Sequence, residues 1–388
     1  MTPPRGIALV LGLLAAFGPL SIDMYLPALP EIGRALGGDP AITLATFFAG
    51  MAAGQLLHGP MADRHGRRRP LFVALLLYIA ASVGCALAAD MDALALLRLL
   101  QALGGCAGMV VARAVVRDLA DQVDPVRLMG RLMLVMGVAP ILAPMLGGWV
   151  AAAIGWRGIF WVLAAIGLLA LLVTWRFLPD TLPPERRRVV PLRQVLRGYV
   201  ALLGDARFLA AALASACAVG GMFAWISGSP RVFIELYGVR PERYGLFFGG
   251  AAAAVIALSF LAGRIAARVG RERLFSAALM GLAAAGLTLP LLVPFGLWPL
   301  YAGLVAYVAM MGLLLPLASV LAMQPFPQMA GAASALLGTM QFGLGAVVAT
   351  LLALLPDGTA WPMAGIIALC GVAALTARLA LARPAAAA

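Results

Sequence analysis

Read for apolar and polar positions, the chain divides into long apolar runs separated by short polar ones. Runs at 41–62, 70–89, 132–156, 158–175, 208–230, 244–263 and 358–377 carry no charge, and 6–30 carries only Asp23. Each is long enough to cross a bilayer as a helix. A further run, 93–116, contains Arg98 and Arg113, while 274–356 is uncharged and far too long for one helix. Prolines divide that segment: Pro290, Pro294 and Pro299 cluster around "LVPFGLWP", Pro325 and Pro327 around "QPFPQMAG". Proline removes a helical hydrogen bond and clashes with the preceding turn, so three spans joined by two turns are predicted. The pattern therefore predicts twelve membrane-spanning helices and an all-α integral membrane fold.

Composition agrees, with 63% hydrophobic and 11% charged residues and a mean hydropathy of +1.01, well outside the soluble range. All 28 basic residues are arginine, and the net charge is +12. With both termini cytoplasmic, five arginines fall outside (Arg34, Arg157, Arg231, Arg240, Arg243), two lie in the fourth span, and the rest face the cytoplasm. That is the asymmetry expected of a multi-pass protein. Because these arginines flank spans and no separate basic domain exists, nucleic-acid binding is excluded as a function. The first run follows Arg5 with no small-residue cleavage site after it, so it reads as the first span and not as a leader. Cys85, Cys106, Cys217 and Cys370 are scattered one to a span, and His58 and His65 have no partner ligands nearby, so no metal or cofactor is expected.

An internal repeat organises the chain. "GPMADRHGRRRPLF" (59–72) returns as "GRIAARVGRERLF" (263–275), pairing Gly59 with Gly263, Arg64 with Arg268, Gly66 with Gly270 and Arg67 with Arg271. Two six-helix halves follow, 1–178 and 208–388, with a polar cytoplasmic linker and surface helix across 179–207. Parallel repeats of this kind place a substrate site between the halves near the midplane. Within the first copy, Gly59 and Gly66 permit close packing and a tight turn, Asp63 suits a helix N-terminus, and Arg67 can pair with an acid. The second copy has Ala267 where the first has Asp63, so the halves are not equivalent. In the fifth span, Gly137, Pro140, Pro144, Gly147 and Gly148 recur every three or four residues and largely share one face open to close helix approach.

"GPMADRHGRRRP" resembles the loop motif of the major facilitator superfamily, and "RLLQALGG" (98–105) its fourth-helix motif. "GVAPILAPMLGG" (137–148) is similar to the fifth-helix motif of drug:proton antiporters, with Ala143 where many members have glycine. With "IDMYLPALP" on the first span, the set resembles the Bcr/CflA subgroup, whose members export bicyclomycin, chloramphenicol and related drugs, and sometimes sulfonamides or cysteine. The resemblance implies a major facilitator fold in a bacterial cytoplasmic membrane, working as a monomer and driven by the proton gradient. It also points to Asp118 as the partner of Arg67 in a gate built from Gly59, Asp63, Arg64, Gly66 and Arg67. It assigns the small-residue face of the fifth span to closing against the second half and preventing proton leak.

Asp23 is the one acid inside the twelve predicted spans, and intramembrane acids are retained chiefly for ion pathways or substrates. Placed several residues before an outer end near Leu29, it lies roughly 8 Å below that edge at about 1.5 Å per residue. Arg98 falls at a similar depth, so the two side chains are placed to meet, and Gln101, one turn away, can hydrogen-bond either state. Proton and substrate then compete at Asp23, which would couple inward proton flow to outward transport. For an amphipathic substrate the cavity should be apolar, aromatic and adaptable; Tyr25, Phe223, Trp225, Met310, Met311, Met340 and Gln341 are its candidate lining. Gly228 and Pro230 are positioned to break the seventh span beside the aromatics. No convergent nucleophile or acid–base set suggests an enzyme, and no loop is long enough for a sensing domain. Proton-coupled export of small organic compounds is the leading function, and uptake or metabolite export on the same fold is the alternative.

Overall fold

The computed structural model describes residues 6–119, 125–182, 185, 187, 191–355 and 357–381. It is all-helical there, and twelve segments are long and apolar enough to cross a membrane. The first is broken: α1 (Ile7–Asp23) gives way at Met24 and Tyr25 to a 3₁₀ turn, Leu26–Ala28, and then to α2 (Leu29–Leu36). Four uninterrupted helices follow as spans, α3 (Ala41–His65), α4 (Arg68–Leu87), α5 (Met91–Asp118) and α6 (Pro125–Ile154), and α7 (Trp156–Phe177) is the sixth span. The expected outer end near Leu29 is instead the start of α2, which runs on to a glycine with positive φ at Gly37. Asp23 consequently lies near the middle of a span running from Leu9 to Leu36.

After a short amphipathic helix, α8 (Leu192–Leu203), six more spans follow. α9 (Ala206–Ser229) passes at Pro230 into a π turn, Pro230–Leu236, closed by the Tyr237 N–H donating to the Val232 carbonyl at 3.1 Å. The break therefore falls where Gly228 and Pro230 place it. α10 (Pro241–Val269) and α11 (Arg271–Leu292) are followed by α12 (Leu297–Ala309) and α13 (Met311–Met323), then α14 (Ala330–Leu354) and α15 (Trp361–Leu381). Turns at 293–295 and 327–329 divide the long uncharged segment at its proline clusters. α12 and α13 form one span interrupted at Met310. Inside α13, Pro316 has no N–H to give the Gly312 carbonyl, and the Ser259 hydroxyl of α10 donates to that oxygen instead, at 3.1 Å.

Two compact units result. One comprises residues up to Pro191 together with Val239–Phe248, the first turns of α10; the other comprises Leu192–Gly238 and Gly249 onward. The expected linker is thus shared. Residues 178–182 and Arg187 bond back onto the first unit, whereas α8 packs with α9 and α14 in the second.

In both units the spans turn large apolar side chains outward. Along α6, Val138, Leu142, Leu146 and Trp149 form an exposed stripe at helical spacing, while Ala143, Pro144, Gly147 and Gly148 are buried. This is the pattern of a helix with hydrocarbon on one side and close-packed protein on the other.

Candidate functional site

The break in the first span organises the polar interior of the first unit. The last carbonyls of a helix have no partner within it, and in α1 that of Ser21 accepts from Arg98 Nη2 of α5 at 2.9 Å. Arg98 Nη1 donates to Gln101 Oε1 at 2.6 Å, and Gln101 Nε2 donates to Ser82 Oγ of α4 at 2.8 Å. Ser82 Oγ donates in turn to the Tyr78 carbonyl at 2.7 Å, and the Tyr78 hydroxyl meets Ser21 Oγ at 2.7 Å. The chain of bonds returns to the residue where it began.

Arg98 is fully buried, and its charge is offset by aromatic faces. Its guanidinium carbon stands 4.1 Å from the ring centre of Phe47, 4.3 Å from Tyr25 and 5.8 Å from Phe160. Each ring presents a negative face to the cation. The Tyr25 hydroxyl bonds Thr43 Oγ1, which fixes that ring.

Asp23 and Arg98 do not form an ion pair. Arg98 does reach the level of Ser21, as depth matching predicts, but its partner there is a backbone oxygen. The reason is helical geometry: the Ser21 side chain faces α4, and two residues further on a helix points about 200° away. Asp23 is buried, 5% exposed, at the last position of α1.

The glycine-rich face of α6 reaches the same break from another side. A Cβ on Gly147 would overlap the Met24 carbonyl oxygen, so only glycine lets α6 approach the interrupted backbone this closely. Gly148 faces a different neighbour, its Cβ position 2.8 Å from the Pro241 carbonyl at the start of α10. Gly245 of α10 reciprocates, its Cβ position 2.8 Å from the Met145 backbone nitrogen. The predicted single face therefore serves two contacts, the Asp23 segment and the beginning of the eighth span. Pro140 and Gly137 lie half-buried further along the helix.

At the loop between α3 and α4, Arg67 Nη1 contacts Asp63 Oδ1 at 2.5 Å, and Nε and Nη2 grip the two carboxylate oxygens of Asp118 at 2.8 and 3.3 Å. Burial works against the Arg67 charge, but the hydrogen bonds and charges of Asp118 and Asp63 outweigh it and hold its pKa above the ordinary arginine value. Two residues not singled out in the sequence complete the cluster. Asp180 Oδ1 accepts from the Arg67 backbone N–H at 2.9 Å, Asp180 Oδ2 pairs with Arg187 at 2.9 Å, and Thr181 Oγ1 donates to Asp118 Oδ2 at 2.9 Å. Gly66 has φ of +86°, and the place of its missing side chain is filled by the Asp180 carboxylate. Arg64 is exposed, and a Cβ on Gly59 would meet nothing within 4 Å. In the second copy, among the described residues, Arg271 donates to the neutral Gln324 alone, at 3.3 Å.

In the second unit, Phe223 of α9 stacks on Phe342 of α14, ring centres 5.5 Å apart, above the bare Cα of Gly345. Gln341 donates to Ser215 Oγ at 3.3 Å, with Met340 half-buried beside it. Trp225 is buried on α9. Met310 packs against Gly281 of α11 from the break between α12 and α13, and Met311 is buried. Of the candidate lining, Phe223 and Gln341 thus meet the same helix pair, and Tyr25 belongs with Arg98.

Residues 11–350 match the family model for the Major Facilitator Superfamily. The chain belongs to that superfamily. Among similar relatives, a bicyclomycin resistance protein homolog of Haemophilus influenzae is 32% identical, covering 92% of this chain and 90% of its own. A chloramphenicol resistance protein of Pseudomonas aeruginosa is 32% identical over 89% and 83% of the respective chains. The crystal structure of a D-xylose–proton symporter superposes with a TM-score of 0.76 at 15% identity, covering 95% of this chain and 96% of that one, and so shares the fold. This major facilitator protein is accordingly a multi-pass membrane transporter of small molecules of the Bcr/CflA drug-transporter type, and not an enzyme.

Proposed function

We propose that this transporter exports small organic compounds, antibiotics among them, from the bacterial cytoplasm across the inner membrane in exchange for protons, by alternating access and as a monomer without a cofactor. The observation that carries the reading is the placement of Asp23. A buried acid ends α1 in the middle of a span, at a break pinned by Gly147 on one side and by Arg98 at Ser21 on another. A carboxyl group fixed in so little water binds either a proton or a substrate group, and the two exclude each other. Protonation from outside releases the substrate; deprotonation inside prepares the site to load again. Within the second unit, the stacked Phe223 and Phe342, with Gln341 and Ser215, form an apolar and hydrogen-bonding patch of the kind an amphipathic compound needs. The drug-resistance relatives support export as the direction. The test is pH-driven flux of a fluorescent cationic drug in inverted vesicles: an imposed inward-acid gradient should drive uptake into the lumen, and substrate movement with the proton instead of against it would overturn antiport.

The loop cluster supplies the gate in this scheme, with Asp180 and Thr181 steadying Arg67 from the segment after α7. Asp63→Asn and Asp180→Asn each remove a charged partner, worth about 1.5–3 kcal/mol when buried and less where solvent reaches it. Each should slow transport several-fold while abundance in the membrane stays near normal, and Thr181→Ser should behave as wild type. Initial transport rates normalised to protein level check this. Unchanged rates in Asp63→Asn would remove the gate itself, and unchanged rates in Asp180→Asn alone would confine it to Asp63, Arg67 and Asp118.

A further inference from the structure

We infer that α8 is a lipid-binding surface, lying on the bilayer with its exposed apolar flank among acyl chains and its arginines on anionic phospholipid headgroups. The helix, LRQVLRGYVALL, contains no acid. Its inner face packs on the second unit through buried Leu202 and half-buried Val195, Gly198 and Tyr199, with the Met329 sulfur 3.9 Å from where a Gly198 side chain would begin. That face already has its partner. A second apolar flank does not: Leu196, Val200 and Leu203 are 52%, 69% and 44% exposed. Spaced by four and three residues, they fall within about 60° of one another around the helix. Arg193 and Arg197, both exposed, border that stripe on one side.

Chain connectivity places this flank at the membrane. Only Gly204 and Asp205 separate Leu203 from Ala206, where the seventh span begins. Three Cα steps reach about 11 Å at most, so the end of α8 cannot leave the boundary region of the bilayer. The turn between them is fixed, because the Asp205 side chain caps α9 by accepting from the Arg207 N–H at 2.7 Å. A helix held at that depth, with an uncovered apolar stripe edged by two cations, has the arrangement of an interfacial helix whose basic side chains extend to headgroups. The commitment to anionic lipid comes from charge: Arg187 is paired with Asp180, but residues 185–197 also carry Arg186, Arg188, Arg193 and Arg197 against the single acid Glu185. Each basic residue near an anionic surface strengthens attachment about fivefold.

The full-length protein, with its four cysteines replaced by alanine or serine, would carry an environment-sensitive fluorophore at Val200→Cys or, on the opposite exposed flank, at Gln194→Cys. Each is placed in nanodiscs of phosphatidylcholine alone or with one third phosphatidylglycerol. The Val200 probe should emit at shorter wavelength and be quenched by lipids spin-labelled near the headgroup, more strongly with phosphatidylglycerol. The Gln194 probe should stay open to aqueous iodide. Arg193→Gln/Arg197→Gln should weaken lipid attachment about 25-fold, moving the phosphatidylglycerol signal toward the phosphatidylcholine level, as should high salt. A Val200 probe quenched by iodide and untouched by lipid overturns the proposal. Lipid quenching that ignores phosphatidylglycerol overturns the choice of anionic headgroups. Should the labelled variants fail to fold, hydrogen exchange of residues 196–203 in the unmodified protein gives the same reading, since equal exchange in both lipids also overturns that choice.

Discussion

Asp23→Asn should abolish pH-driven accumulation while leaving the protein folded and able to bind substrate. The substitution keeps the shape of the side chain and removes its titration. One proton moving inward contributes about 2.3 kcal/mol per 100 mV, enough for roughly fiftyfold accumulation before any pH gradient is counted. Without a titrating group at this position the ratio should fall to near one, and addition of substrate to purified protein should no longer release protons. Asp23→Glu should retain part of the activity, since the charge survives on a displaced carboxylate. Flux in proteoliposomes with a clamped gradient, together with proton release in weak buffer, measures both. Full coupling in Asp23→Asn would reduce this residue to a structural acid, and Glu31 or Asp118 would become the next groups to test.

Gly147→Ala should be nearly as damaging as Gly147→Leu, an unusual expectation for so small a change. A single methyl at Gly147 overlaps the Met24 carbonyl, which belongs to the main chain and has no rotamer to escape into. Either α6 or the broken segment of the first span must shift, and the forced overpacking costs about 1–3 kcal/mol. The displaced residue adjoins Asp23, so transport should fall at least tenfold and thermal stability in detergent should drop. At Gly148 the nearest atom is also a backbone oxygen, but at 2.8 Å, so Gly148→Ala should cost less. Melting curves and transport rates for the two alanine variants side by side decide it. Equal and mild effects would mean that the α6 face is ordinary small-residue packing.

Much of this architecture is legible in the sequence because membrane helices advertise themselves by length and charge. The twelve spans, the turns at the two proline clusters and the break at Pro230 each follow from a local signal. The Asp63–Arg67–Asp118 cluster is also within reach, the loop motif marking Asp63 and Arg67 and the family resemblance supplying Asp118. The features that the sequence does not reveal depend on backbone atoms or on distant partners. A buried charge at the depth of Asp23 suggests an ion pair, whereas Arg98 bonds Gln101 and the Ser21 carbonyl, which is left open to it only because α1 stops there. Pro27 and Pro30 lie at that interruption, where the sequence pattern places the outer end of the span near Leu29. Asp180 and Thr181 lie in a polar stretch resembling any linker, and their partners, Arg67 and Asp118, are 113 and 63 residues away. The glycines of α6 announced close approach without saying to what.

The unlike loops of the two repeats bear on which unit yields first. Identical fasteners would let both loops open with equal ease. Here Arg67 is held by Asp63, Asp118 and, through its backbone, Asp180, whereas Arg271 has a neutral amide. A difference of even 1.5–3 kcal/mol between the two attachments makes opening of the second loop about ten- to over a hundredfold more frequent than opening of the first. Amide hydrogen exchange across 263–275 should therefore outpace that across 59–72. Swapping the two loop sequences would reverse that order of yielding only if Asp118 and Asp180 moved with them, because the firmness of the first loop is borrowed from a helix end and a segment outside the repeat.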